Sequence, residues 1–145
     1  MTDMPLRLLA FDSEDLAIVS AHLQDAVLKA SDMAFLARER RFVLVCNRFD
    51  WTAVDAGACQ RRRTGLRFER VSAVKARGVP QGGDTPLELL AIRFDPDEEP
   101  AGTIELVFAG GAGLRLTVEC VEAALDDLSS GWQASRVPGH DQIDC

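Results

Sequence analysis

The sequence predicts an α+β protein built on one bent, mostly antiparallel sheet. A C-terminal helix packs on that sheet, and a short helix lies near the N-terminus. Three observations carry this expectation. Apolar and polar residues alternate in one run after another, the period of half-buried strands. Turn-forming stretches rich in glycine, proline and polar residues separate the runs. Two stretches, around residues 13–22 and 121–130, instead space their apolar residues three and four apart, as on a helix face. A chain of 145 residues suits a single domain with its own core. Residues 1–145 therefore read as one domain, with 133–145 as a polar tail.

In chain order, Leu6, Leu8 and Leu9 open the fold as a short strand or extended arm. Asp12 or Ser13 then caps a helix, with Glu14 and Asp15 in its first turn and Leu16, Val19 and Leu23 as its apolar stripe. Residues 24–30 form a strand with Ala26 and Leu28 on one side, and residues 33–36 form a second. Residues 37–40 make a polar turn. Residues 41–47 hold the most apolar run, Phe42 to Cys46, which suits a strand buried on both faces. Phe49 and Trp51 cover the end of the core, and residues 52–60 form a loop.

Arg61, Arg62 and Arg63 precede the next strand, in which Leu66 and Phe68 point one way and Arg67 and Glu69 the other. The alternation breaks at Arg70-Val71, the mark of a bulge or bend. The strand resumes through Val74 and ends at Gly78. Residues 79–86, with two prolines and two glycines, form a loop. A strand over 87–94 and an acidic turn over 95–102 follow.

Residues 103–120 read as a hairpin around the loop Ala109-Gly110-Gly111-Ala112-Gly113. Symmetry about Gly111 places Phe108 opposite Leu114, Leu106 opposite Leu116, and Ile104 opposite Val118. Val121, Leu125, Leu128 and Trp132 then mark the C-terminal helix, with Gly131 as its cap. The glycines do not read as a phosphate loop, because they lead into a strand rather than a helix and no lysine is near.

Several function classes find no support. The sequence holds no dinucleotide fingerprint, no serine or cysteine nucleophile motif and no clustered zinc pattern. No catalytic residue, cofactor or metal is expected. The nearest thing to a ligand cluster is His140, Asp141 and Cys145 in the tail. No apolar run reaches the roughly 18 residues of a membrane span, and the N-terminus lacks a signal-peptide pattern. The expected location is the cytoplasm, with Cys46 and Cys120 as small core residues.

Charge is the best lead. The net charge is −7, yet residues 38–77 carry 11 basic and 4 acidic side chains. Arg38, Arg40, Arg41, Arg61, Arg62 and Arg63 are the candidate binding residues, since guanidinium forks suit carboxylates and phosphates. An acidic protein or a phosphorylated ligand is the expected partner. RNA suits an acidic chain poorly. His22, Arg48 and Trp51 form a weaker candidate pocket.

Residues 16–26, the run from Arg41-Phe42 to Phe49-Asp50-Trp51, and Arg61 to Phe68 together resemble a small uncharacterised bacterial family, a domain of unknown function. The likeness covers nearly the whole chain. It implies a free-standing single domain and brings no activity or site residues. The element order also resembles the pleckstrin-homology superfold, a bent antiparallel sheet (sandwich or barrel) with one C-terminal helix across its open end. Together these point to a non-enzymatic binding or adaptor module. The alternatives are a small-ligand protein or enzyme with an unrecognised pocket, and a homo-oligomer in which acidic and basic faces meet.

Overall fold

The computed structural model describes residues 5–51, 59–80 and 84–133. Among these residues one α-helix, α1 (Ser13–His22), stands with eleven strands: β1 (Arg7–Ala10), β2 (Ala26–Lys29), β3 (Met33–Leu36), β4 (Arg41–Phe49), β5 (Gln60–Phe68), β6 (Val71–Arg77), β7 (Pro86–Pro96), β8 (Gly102–Phe108), β9 (Gly113–Val118), β10 (Ala123–Asp127) and β11 (Trp132–Gln133). The strands join in one continuous sheet, ordered β1-β10-β5-β4-β2-β7-β8-β9-β6, with β3 beside β4 and β11 beside β5. Every pairing is antiparallel.

The fold is thus mostly β, and the expected C-terminal helix is not there. Residues 123–127 are a strand, hydrogen-bonded to β1 on one side and β5 on the other. The helix-like spacing of Val121, Leu125, Leu128 and Trp132 is a coincidence of sequence. Only Val121 and Leu125 of the four are buried; Leu128 and Trp132 are exposed. Two neighbouring strands satisfy this backbone, and that tertiary pairing outweighs a short local helix pattern.

The sheet has to curl. Strands β5 and β6 are consecutive in the chain, with only Glu69 and Arg70 between them, yet β6 ends the strand order on the far side. Arg70 makes the corner in the left-handed conformation, at φ +58°. Three backbone bonds clamp it: Glu69 N–H to the Glu122 carbonyl (2.9 Å), Val71 N–H to the Arg40 carbonyl (2.8 Å) and Glu119 N–H to the Arg70 carbonyl (3.2 Å). The inward residues of all parts of the sheet consequently meet in one core, with Leu44, Leu66, Phe68, Leu89, Ile104, Leu106 and Leu116 at its centre.

Helix α1 packs against β7 and β1. Asp12 caps it as expected, its carboxylate accepting from Asp15 N–H at 2.8 Å. Leu16, Val19 and Leu23 are buried. Ser20 Oγ accepts the Ile92 N–H at 2.9 Å, next to an irregularity in the β7–β8 register between Leu89 and Ala91. The most apolar strand, β4, is covered on one face only. Phe42, Leu44, Cys46 and Arg48 point inward, while Val43, Val45 and Asn47 are half-buried on the outside.

The C-terminal hairpin forms, but its register sits two residues from the symmetric one. Leu106 pairs with Leu114, Ile104 with Leu116, and Gly102 with Val118. A shift of two keeps each side chain on its face, so the core is unchanged. The short turn Ala109–Gly111 absorbs the difference, with Gly110 and Gly111 at φ +82° and +85°. Cys46 and Cys120 are free thiols, whereas Cys59 is disulfide-bonded. Burial pushes the Cys46 thiol up to about 12, so it behaves as a small core residue.

Gly102 is a glycine the packing requires. A Cβ there would lie 2.5 Å from the Asp95 carbonyl oxygen and 2.7 Å from the Phe94 ring. Gly102→Ala is expected to lose about 1–3 kcal/mol of stability, measured as a lower urea midpoint at unchanged slope. A variant as stable as the parent would contradict this packing.

Candidate functional site

Strand β5 sorts the arginine run. Arg61, Arg62 and Arg63 lie within the strand rather than before it, so they cannot act as one cluster. Successive side chains of a strand point to opposite faces. Arg62 therefore enters the interior with Thr64, Leu66 and Phe68, while Arg63 shares the outward face with Gly65 and Arg67.

On the inner side, Arg62 and Arg48 meet two carboxylates. Arg48 makes a two-pronged bond to Asp127, with Nε to Oδ1 at 2.8 Å and Nη2 to Oδ2 at 2.7 Å. Thr64 Oγ1 and the Leu6 N–H also donate to Asp127, each at 2.7 Å. Arg62 Nε donates to Asp50 at 2.8 Å, and Arg48 Nη1 faces Asp50 at 3.9 Å. The Arg48, Arg62, Asp50 and Asp127 side chains are all at most 7% exposed. Burial works against the charge on Asp127, but its bonds from Arg48, Leu6 and Thr64 prevail and hold its pKa below 3.8.

Of the three pocket residues, His22 lies within electrostatic reach of Arg48, Asp50 and Asp127, while the contacts of Trp51 are with Gln24 and Phe49. Trp51 Nε1 donates to the Gln24 carbonyl at 3.4 Å, and its ring packs edge-on against Phe49 with centroids 4.6 Å apart. Arg61 lies over the other aromatic, its guanidinium carbon 5.7 Å from the Phe49 centroid. Burial and the Arg48 charge lower the His22 pKa, against the opposing pull of Asp50 and Asp127. The cluster ties β1, β4, β5 and β10 together, and its carboxylates are engaged by arginine. That arrangement is suited to holding strands rather than to acid–base chemistry.

The outer side differs. Across β4, β5 and β10, Val45 pairs with Gly65 and Gly65 with Asp126, while Val43 pairs with Arg67 and Arg67 with Ala124. Val43, Val45, Gly65, Ala124 and Leu128 line an open, mainly apolar groove of about 210 Å³, with Arg67 and Asp126 at its rim. Arg7 of β1 pairs with Asp126 at 2.9 Å. Glu69 is shared: Arg41 Nε contacts both its oxygens at 3.0 and 2.9 Å, and Arg67 Nε reaches it at 3.1 Å. Arg63 reaches only Asn47 Oδ1, at 3.5 Å, and has no carboxylate partner among the described residues. Among the described residues, Arg7, Arg41, Arg63 and Arg67 thus outnumber Asp126 and Glu69 on this face by two charges.

The other candidates are dispersed. Arg38 is exposed in the turn before β4. Arg40 pairs with Glu119 at 2.8 Å, near the corner. Arg67 and Gly65 were not singled out as site residues from sequence, although the alternation Arg63-x-Gly65-x-Arg67 was visible there. Among the described residues no cluster of His, Cys, Asp and Glu could hold a metal, and no helix is long and apolar enough to cross a membrane. His140, Asp141 and Cys145, like the rest of the tail from residue 134, lie outside the described residues.

The described residues form one curled antiparallel sheet with α1 packed on it, and the outer face of β4, β5 and β10 is apolar at its centre with arginines around it. The chain belongs to the family described as protein of unknown function (DUF2948), whose model matches residues 6–140. No curated protein and no solved structure matches it. The pleckstrin-homology likeness therefore has no structural counterpart, and the terminal helix it relied on is replaced by β10.

Proposed function

We propose that this protein is a non-enzymatic binding module that holds an acidic segment of a partner protein against the outer face of β4, β5 and β10. The observation that carries this reading is the excess of arginine around an apolar groove, in a chain whose net charge is −7. At physiological salt, charges more than about 8 Å apart are largely screened. The local patch, not the whole-chain charge, then decides what docks. A groove of about 210 Å³ is smaller than the 300–1,000 Å³ typical of small-molecule pockets and suits a single side chain. Side chains do the recognising, because β4 and β10 already occupy both edges of β5.

The test is fluorescence anisotropy with two labelled peptides, one of glutamate, serine and leucine, the other with lysine replacing glutamate. The acidic peptide is expected to bind, to weaken as salt rises, and to lose most of its affinity for Arg63→Glu/Arg67→Glu. Both positions are exposed, so that variant should keep its stability within about 0.5 kcal/mol. Equal binding of the two peptides, or full binding by the double variant, would overturn the proposal.

A further inference from the structure

Gly65 is a glycine that the fold does not explain. It sits in the middle of a nine-residue strand and is not among the glycines with positive φ. The nearest atoms a Cβ at Gly65 would meet belong to the exposed Leu128 side chain, the first at 3.4 Å, an ordinary contact. A glycine inside a strand weakens it, and often marks a place where a ligand or another backbone comes close. Here its missing side chain leaves the floor of the groove open between Val45 and Asp126.

The charges have a matching order. Arg63 and Arg67 flank Gly65 on the same face, each about 7 Å along the strand, at roughly 3.4 Å per residue. Arg63 has no carboxylate partner among the described residues. Arg67 can turn from Glu69 at little cost, because Arg41 still holds both oxygens of that carboxylate.

We infer that the partner segment is extended and carries an acidic residue, any residue, a large apolar residue, any residue and a second acidic residue. The apolar side chain seats over Gly65, and the carboxylates meet Arg63 and Arg67. An extended segment presents residues i−2, i and i+2 on one face with the same spacing as β5. This inference rests on the binding-module reading and adds the order of residues that the partner must present.

The experiment compares two labelled peptides of equal composition, one containing Glu-Ser-Leu-Ser-Glu and the other Glu-Glu-Leu-Ser-Ser. The first is expected to bind roughly fivefold more tightly, the worth of about one exposed ion pair. Replacing its leucine with serine should reduce binding by a similar factor. Gly65→Val fills the groove with a strand-favouring residue, so it should remain folded and no longer distinguish leucine from serine. If the two isomers bind alike while both depend on Arg63 and Arg67, the residue order is wrong and the acidic-partner reading stands. If neither binds, both fail. Should Gly65→Val not fold, the leucine-to-serine peptide decides alone: unchanged affinity overturns the apolar seat.

Discussion

Asp127→Ala should lower folding stability by about 3–5 kcal/mol, the cost of leaving a buried charge without its partner. Asp127 accepts four hydrogen bonds, two from Arg48 and one each from Thr64 and the Leu6 amide. Its loss leaves two buried guanidinia, those of Arg48 and Arg62, to share the single carboxylate of Asp50. Chemical denaturation of three proteins checks this. Arg48→Met/Asp127→Leu should lose less than Asp127→Ala, because no orphaned charge remains. A double variant worse than the single would mean that the ion pair itself supplies net stability. The same carboxylate shapes the acid limb. Its folded pKa is depressed, so its contribution is fully present above its ordinary 3.8 and is lost as pH falls through the lower folded value. His22 follows the same sign: its lowered pKa favours the fold above 6.5, and that contribution fades as pH drops below it. Asp127→Ala should abolish the more acidic of these two phases and deepen the other, because Asp127 opposes the lowering of the His22 pKa.

Phe68→Ala should be about as damaging, at roughly 3–5 kcal/mol for a buried phenylalanine. Phe68 is fully buried and pairs with Phe42 on β4 and Ala123 on β10. Its ring lies 6.5 Å from that of Phe42, centroid to centroid. It is also the last residue of β5 before the Glu69–Arg70 corner, where the sheet turns back on itself. A cavity here removes packing just where the two ends of the sheet close. Phe11, 61% exposed, provides the control. Phe11→Ala should stay within about 0.5 kcal/mol of the parent. A loss of less than about 1 kcal/mol for Phe68→Ala would place the weight of the core elsewhere.

Much of the sheet was legible in the sequence, because period-two patterns survive wherever one face is apolar. The cap at Asp12, the stripe of α1, the break at Arg70 and the hairpin all follow from local residues. The C-terminal strand was not legible, for a physical reason. Its inward face is Ala123, Leu125 and Asp127, and its outward face is Ala124, Asp126 and Leu128. An aspartate on the core face breaks the apolar alternation, while Val121, Leu125 and Leu128 happen to fall three and four apart. The buried arginines that justify Asp127 lie on β4 and β5, far away in sequence. The arginine run misled for a related reason. Three adjacent basic residues look like one patch, but a strand divides them, and Arg62 neutralises Asp50 inside the molecule.

The most direct measurement is a heteronuclear NMR titration of the full chain with the Glu-Ser-Leu-Ser-Glu peptide. If the outer face of β4, β5 and β10 is the binding surface, the largest amide shifts will map to Val43, Val45, Gly65, Arg67, Ala124 and Leu128. Shifts concentrated instead on the exposed basic residues of β6, Lys75 and Arg77, or spread evenly over the surface, would contradict the account.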